Sequence, residues 1–572
     1  MKMKGAQIFF ECLKKEGVEV IFGFPGGSVL DIYHEMPKHD IRHILVRHEQ
    51  GATHMADGYA RASGRTGVCL VTSGPGATNT VTGIATANMD SVPMVVFTGQ
   101  VPTALIGDDA FQEVDIIGIT RPCTKHSYLV RDTSDMARVI KEAFYLARTG
   151  RPGPVVVDLP KDVLQAEAEF RYPKKVDLPG YHPNLEAHMG QVKRAFQLLR
   201  KAKTPLLFAG GGILTSESSK EIVRLAELMQ APVTATLMGL GGFPATLKDS
   251  KGRKKPHPLW LGMPGMHGTY QANMAMSNAD VILAAGARFD DRVTGKISSF
   301  AQKAKIIHID VDPTSISKNV EVDIPIVADC KDALQKFIQL FEAEPVEGLA
   351  GLRAPWFDQI DKWRTEYPLS YKQEGEFIKP QFVVEKIYEI SRGEAIITTE
   401  VGQNQMWTAQ FYRFDRPRSL LTSGGLGTMG YGMPAALGAQ VAFPDRLVVD
   451  IAGDGSIQMN IQELVTAVLN CLPIKVAILN NRYLGLPRQW QELFYEKNYC
   501  ASFLDDLPDF VKLAEAYGAV GLRATKPEEV EPVLKEAFAV NKPVLIDFVV
   551  AQEEGVYPIV PPGKSITEML LT

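Results

Sequence analysis

Leu447-Val448-Val449-Asp450-Ile451-Ala452-Gly453-Asp454-Gly455-Ser456, followed by Ile474-Lys475-Val476-Ala477-Ile478-Leu479-Asn480-Asn481, are two apolar runs that each end in polar residues. Short apolar runs bounded by turn residues are typical of buried strands in a parallel sheet. Between Gly455 and Asn480 lie 24 residues, Ser456 to Leu479, room for a crossover helix over Ile461–Asn470 and the second strand. Parallel neighbours bring their carboxyl ends to one edge, where open α/β sheets bind ligands. There Asp454 stands between Gly453 and Gly455, which let backbone approach a ligand closely. A carboxylate repels a phosphate unless a cation separates them. Mg2+, which takes octahedral oxygen ligands and often shares phosphates, is the natural bridge. The side-chain oxygen of Asn481 and the backbone carbonyl of Tyr483 complete the expected protein ligands.

Outward from that edge, strands and helices alternate along the 572 residues, which predicts an α/β fold with parallel sheets. At about 150 residues per domain the chain holds three or four units. Polar, Pro-containing stretches divide it. The first block covers residues 1–170 and ends in the strand Val155-Val156-Val157-Asp158-Leu159. A linker with Pro173, Pro179 and Pro183 leads to the second, residues 184–343, which opens with Pro205-Leu206-Leu207-Phe208-Ala209. Glu342 to Pro380 is a charged join carrying Pro345, Pro355 and Pro368. The third block covers residues 378–552, and a tail runs over 553–572. We expect three doubly wound parallel-sheet domains. Gly51–Ala60 and Gly427–Ala436 are similar small-residue helices, each preceding a strand, as in a duplicated α/β unit.

Composition limits the function classes. A content of 45% hydrophobic and 22% charged residues is globular. No apolar run of 18 residues predicts a membrane span. The start, Met1 to Ile8, has no signal-peptide pattern, so a cytoplasmic setting is expected. A net charge of -5 argues against nucleic acid as the main partner. Six dispersed cysteines without a CxxC pair read as buried, reduced thiols.

The paired GDGS and NN motifs resemble the thiamine-diphosphate site of a whole enzyme superfamily. That cofactor requires a carboxyl that holds a proton on its aminopyrimidine, and a dry pocket raises a glutamate's pKa for that task. Glu49, after Ile44-Leu45-Val46 and at the start of a small-residue helix, is the candidate. The resemblance implies that the two cofactor ends come from different subunits, hence at least a homodimer or tetramer.

Several further segments resemble the large catalytic subunit of acetolactate (acetohydroxyacid) synthase. They include Gly23–Gly27, Arg47–Ala52, Thr72–Asn79, Ala110–Glu113, Asp158–Val163 and Gly265–Gly268. The most selective are Ala287-Arg288-Phe289-Asp290-Asp291-Arg292-Val293-Thr294-Gly295 and Arg488-Gln489-Trp490-Gln491-Glu492-Leu493-Phe494-Tyr495. The resemblance implies decarboxylation of pyruvate on thiamine diphosphate. The hydroxyethyl unit then passes to a second pyruvate or to 2-ketobutyrate, the first common step toward valine, leucine and isoleucine. Arg292 would receive the second substrate's carboxylate, a geometry a guanidinium fork suits; otherwise it is a surface ion pair with a neighbouring aspartate. Trp490 would fit the extra methyl of 2-ketobutyrate, or else pack in a core. Gly26, Phe111, Gln112 and Lys161 would line the channel. Leu486 would be the wedge under the cofactor, Gln403, Gly455 and Ser456 would contact the diphosphate, and Met429 would sit beside the pyrimidine.

The middle block would bind FAD, retained as structure. Gly210-Gly211-Gly212 after a strand is a weak phosphate cradle by itself. The resemblance adds Arg151, Thr236, Leu237, Met266, His267, Gly286, Ala287, Arg288, Asp290, Asp310 and Asp329. An FAD-free fermentative acetolactate synthase and a pyruvate-oxidase-type flavoenzyme remain alternatives. Feedback control in the family implies a separate regulatory small subunit. Departures from the family pattern are Leu486-Pro487, Asn404, Pro264 and a basic insertion over 247–255, read as a solvated loop or a contact for an acidic partner. Pro487 removes a backbone donor beside the site. The tail, Val556 to Lys564, either closes over the site or is a disordered end.

Overall fold

A computed structural model describes residues 2–249 and 252–572; Ser250 and Lys251 of the basic insertion lie outside the described residues. Three parallel sheets organise the chain. In the first, β1 (Val20–Phe24), β2 (Arg42–Leu45), β3 (Gly67–Val71), β4 (Met94–Gln100), β5 (His126–Leu129) and β6 (Pro154–Pro160) lie in the order β2-β1-β3-β4-β6-β5. The middle sheet holds β7 (Pro205–Ala209), β8 (Val233–Ala235), β9 (Val281–Ala285), β10 (Lys305–Asp310) and β11 (Ile324–Val327), ordered β8-β7-β9-β10-β11. The third holds β12 (Ile396–Thr399), β13 (Leu420–Leu421), β14 (Val448–Gly453), β15 (Lys475–Asn480), β16 (Val520–Ala524) and β17 (Val544–Val549), ordered β13-β12-β14-β15-β17-β16. Strand for strand, the third sheet repeats the order of the first. The chain is thus an α/β protein of three parallel sheets.

Central strands such as Val155-Val156-Val157 and Val476-Ala477-Ile478 are buried along their whole length, as sheets covered by helices on both faces require. The two similar small-residue helices, α1 (Glu49–Ser63) and α2 (Gly432–Ala442), pack on one another and join the first and third domains. Their backbones touch: a Cβ at Gly58 would lie 2.2 Å from the Ala435 carbonyl oxygen, and one at Gly438 would lie 1.9 Å from that of Met55. Ala52, Met55 and Ala56 share one core with Met433, Ala436 and Leu437. Gly64 ends α1 in the left-handed conformation, with φ 77°, that a side chain would strain.

Four expectations are sharpened or changed. The charged join contains a helix, Leu349–Glu366, whose buried Arg353 and Trp356 donate to carbonyls of Leu199 and Pro205 in the middle domain. The tail is not a disordered end: Val560 N–H donates to the Met266 carbonyl at 2.8 Å, and Ile566 is buried. Of the cysteines, all unpaired, only Cys12, Cys69 and Cys330 are buried. Cys123 is half-buried, while Cys471 and Cys500 lie exposed in a turn and a loop, where the apolar periodicity that buries a thiol is missing. The described residues of the basic insertion include two short antiparallel strands, Thr246–Lys248 paired with Lys254–Pro256, and the acid that Lys254 meets is this chain's own Asp415, at 2.7 Å. Among the described residues no helix is long and apolar enough to cross a membrane.

Candidate active site

In doubly wound sheets the ligand crevice opens where the strand order reverses. In the third domain that point lies between β12 and β14. Gln403 follows the first of these and Asp454 the second. The crossover after Ser456 is a short 3-10 turn, Ile457–Asn460, and then helix α3 (Glu463–Leu469), slightly inside the expected span.

Asp454 is 1% exposed. Its Oδ1 accepts from Gly455 N–H at 2.9 Å and its Oδ2 from Arg482 N–H at 2.6 Å. Burial pushes this carboxyl up to about 7 against the lowering effect of those donors. Asn481, at the end of the adjacent strand β15, accepts from Tyr483 N–H at 3.1 Å and donates to Gln403 Oε1 at 3.2 Å. Gln403 in turn donates to Gln489 Oε1 and to the Glu554 carbonyl, both at 3.0 Å. Ser456 is buried with its hydroxyl 3.3 Å from the Gly453 carbonyl. Among the described residues no cluster of three or more His, Cys, Asp or Glu could hold a metal. Instead, the buried Asp454 carboxylate and the Asn481 amide oxygen are tied to one turn, through Arg482 N–H and Tyr483 N–H respectively, and the Tyr483 carbonyl is the backbone oxygen of that turn. That donor chemistry fits a hard cation that shares its remaining positions with phosphate and water.

Helix α4 (Gly485–Phe494) follows at once. Pro487 sits in its first turn, where the missing N–H is one of the helix's orphan donors, so no helical hydrogen bond is lost. The feared loss of a backbone donor is therefore harmless at this position. Leu486 and Trp490 are half-buried on this helix, and Trp490 meets Phe494 edge-to-face at 5.7 Å rather than packing in a core.

Glu49 opens α1 in the first domain and is half-buried, not dry, in the single chain. Its Oε2 accepts from the Asn79 side-chain amide at 2.9 Å, and its Oε1 faces Gly76, where a Cβ would approach to 3.4 Å. The turn Gly74-Pro75-Gly76 gathers other predicted residues. A Cβ at Gly74 would lie 2.8 Å from the Gln112 carbonyl, and one at Gly26 would lie 2.5 Å from Thr72 Oγ1. Gln112 itself holds φ 61°, an uncommon conformation for a non-glycine residue. Phe111 beside it is 89% exposed. Lys161 begins the short helix after β6, on the same sheet edge. No hydrogen bond among the described residues joins Glu49 to Asp454, Asn481 or Ser456.

A cavity of about 1180 Å³ runs between the three domains. Its wall contains Arg151, Gly211, Gly212, Thr236, Leu237, Met266, His267, Gly286, Ala287, Arg288, Asp290, Asp310 and Asp329, and also Arg292, Leu486 and Trp490. Its floor is the switch point of the middle sheet, between β7 and β9. Gly210 is not among the wall residues, and a Cβ there would lie 2.0 Å from the Gly286 carbonyl oxygen. Met429 lies just beyond the wall residue Gly427 and is half-buried. Arg151 pairs with Asp312 at 3.3 Å, and burial pushes Asp310 up to about 6. Asp329 caps helix Cys330–Ala343 by accepting from Lys331 N–H. Burial pulls His267 down to about 4, and its Nδ1 lies 3.3 Å from the Pro558 carbonyl of the tail. Arg292 pairs with Asp291 at 2.7 Å while 66% of its side chain is exposed, so the surface ion pair forms and the guanidinium still borders the cavity.

Sequence reasoning gave no role to Asn79, Gln489 or Glu463, which touch Glu49, Gln403 and the Arg47–His48 turn respectively. Asn79 and Gln489 sit inside quoted motifs. Only the fold shows which atoms they meet.

Residues 3–119 match the family described as thiamine pyrophosphate enzyme, N-terminal TPP binding domain; 192–337 match the central domain and 400–548 the C-terminal TPP binding domain. Among curated proteins the chain is 49% identical over 575 residues to the acetolactate synthase large subunit of Haemophilus influenzae, covering 100% of this chain and 98% of that one. It is 50% identical over 576 residues to the acetolactate synthase isozyme 3 large subunit of Escherichia coli, covering 100% and 99%. It is 47% identical over 575 residues to the acetolactate synthase large subunit of Corynebacterium glutamicum, covering 99% and 90%.

Proposed function

The chain belongs to the family of acetolactate synthase large subunits, thiamine-diphosphate enzymes, and from that premise we propose how its residues divide the work. Asp454, the Asn481 amide oxygen and the Tyr483 carbonyl hold Mg2+, and through it the diphosphate. Gln403, Gly455 and Ser456 contact the phosphates. Their convergence at the carboxyl ends of the neighbouring strands β12, β14 and β15 is the observation that carries this reading. When bound, thiamine diphosphate supplies the carbon nucleophile and electron sink for decarboxylating a 2-keto acid.

Glu49 holds the proton needed on the aminopyrimidine. Asn79 occupies Oε2, which leaves Oε1 to carry that proton. A second copy of the chain brings Glu49 to the diphosphate end, so the enzyme is at least a homodimer with its sites between subunits. The half-exposed Glu49, the 89% exposed Phe111 and the exposed Leu45, Leu105 and Ile119 support such a covering surface. From that copy Gly26, Phe111, Gln112 and Lys161 line the channel. Leu486 wedges the cofactor, with Met429 beside the pyrimidine.

Arg292 receives the carboxylate of the second 2-keto acid, exchanging its exposed partner Asp291 for the substrate. Trp490, with Leu486 and Pro487 on one face of α4, favours the extra methyl of 2-ketobutyrate. FAD occupies the interdomain cavity, whose size and chemistry suit it: a glycine turn at a switch point for the pyrophosphate, and acidic residues for hydroxyl groups. The relatives are named large subunits, and we propose a separate small regulatory partner for this chain as well. A cytoplasmic setting completes the reading.

The test is to purify the protein, record its visible spectrum, and assay acetolactate from pyruvate with and without thiamine diphosphate and Mg2+. The expected result is a flavin spectrum and activity that needs both additions. Absence of acetolactate under every condition refutes the reading. A colourless active enzyme removes FAD, and flavin bleached by pyruvate with electrons passed to an acceptor favours an oxidase.

A further inference from the structure

We propose that Glu463 is a positioning residue for Glu49: from the helix that follows the diphosphate loop, its carboxylate fixes the turn that presents the catalytic carboxyl. This rests on the reading of Glu49 above. Glu463 is 0% exposed, in the first turn of α3. Its Oε1 accepts from the backbone N–H groups of both Arg47 and His48, each at 2.9 Å, and its Oε2 accepts from Thr466 Oγ1 at 2.7 Å. Those two amides immediately precede Glu49, and among the described residues no side chain of the first domain accepts from them.

A helix-capping role alone explains little of this arrangement. The N-cap of α1 is His48, whose own ring accepts from Gln50 N–H at 3.1 Å. Glu463 acts one step earlier, on the turn between β2 and α1, and does so from another domain. The approach is close enough to constrain the sequence: a Cβ at Gly51 would lie 2.6 Å from Glu463 Oε1. The same short segment also grips the pyrimidine side, because Asn460 Nδ2 donates to the Gly430 carbonyl at 2.7 Å, next to Met429. A carboxylate fully withdrawn from water and bonded to three donors is costly to remove singly. It holds its partners within the few tenths of an ångström that a proton-holding group needs.

Two variants and two readouts test this. Glu463→Ala removes both acceptors, whereas Glu463→Gln keeps one oxygen able to accept from both amides. In the protein without cofactor, hydrogen–deuterium exchange reads the Arg47 and His48 amides. In the holoenzyme, NMR reads exchange of the C2 proton of bound thiamine diphosphate, which depends on Glu49. In Glu463→Ala both amides should lose protection and C2 exchange should slow roughly tenfold to hundredfold. KM for pyruvate should stay unchanged, and Glu463→Gln should recover most of the exchange rate. Wild-type C2 exchange in Glu463→Ala overturns the proposal, as does a Glu463→Gln variant as slow as Glu463→Ala. If Glu463→Ala does not fold, Gly51→Ala displaces the carboxylate instead; wild-type exchange in the folded Gly51→Ala protein overturns the proposal equally. Glu49→Gln is run alongside: if it keeps wild-type C2 exchange, the role of Glu49 itself fails, which is a different outcome.

Discussion

Replacing Gly58 with alanine tests the contact that ties the Glu49 helix to the third domain. A Cβ at this position would lie 2.2 Å from the Ala435 carbonyl oxygen and 2.6 Å from Ala435 Cα. Ordinary C···O approaches are about 3.3 Å or more, so α1 and α2 must separate by about 1 Å. The obstructing atoms are backbone, which has no rotamer to escape into. The overpacking cost therefore falls near the upper end of about 1–3 kcal/mol. Alanine returns about 1 kcal/mol as a better helix former than glycine, leaving a net loss of about 2 kcal/mol. Gly351→Ala makes the same chemical change in helix Leu349–Glu366, where a Cβ meets no atom within 4 Å. That variant should be neutral or gain up to about 1 kcal/mol. Thermal unfolding of both, with thiamine diphosphate affinity measured in parallel, separates the cases. Gly58→Ala should lower the midpoint by a few degrees and weaken cofactor binding, and Gly351→Ala should do neither. Equal midpoints for the two variants would refute the close packing of α1 on α2.

Burial pushes Asp158 up to about 7, well above a carboxylate in the unfolded chain. Its contribution to stability is present below about pH 4 and is lost as pH rises through about 7. Asp158→Asn should flatten the unfolding midpoint over that window, and an unchanged slope would contradict the assignment. Asp454→Asn should weaken Mg2+ binding, measured by titration in the presence of thiamine diphosphate, while leaving the fold intact by circular dichroism. Arg292→Gln should raise KM for the second keto acid about tenfold or more without slowing pyruvate decarboxylation. Trp490→Leu should shift the ratio of the two products by no more than about 1–3 kcal/mol, read by competition between pyruvate and 2-ketobutyrate.

The sheets were legible because apolar runs such as Val155-Val156-Val157 and Val476-Ala477-Ile478 leave no alternative at that length, and turn residues bound them. The placement of Asp454 and Asn481 at one sheet edge was legible for the same reason: a strand end fixes which residues share an edge. The likeness of Gly51–Ala60 to Gly427–Ala436 suggested a duplication, yet not that the two helices pack on each other, because periodicity reports a helix's face and not its partner. Helix Leu349–Glu366 was hidden by Pro355 and by the polarity of its exposed side. The close approach of Gly210 to the Gly286 carbonyl was not legible, because a glycine run does not say which backbone its members meet. Glu463 was invisible because its partners are amides more than 400 residues away in sequence, with |i−j| of 415 and 416.

The central claim is that Glu49 of one copy serves the cofactor held by Asp454 and Asn481 of another. Mixing Glu49→Gln and Asp454→Asn chains under conditions that exchange subunits tests it most directly. Each variant alone should be inactive. Half of a random mixture is mixed dimers, and each of these carries one intact site and one doubly damaged site. Acetolactate synthesis should therefore return to about a quarter of the wild-type rate. A mixture as inactive as its parts would contradict the account and place Glu49 and Asp454 in the same chain's site.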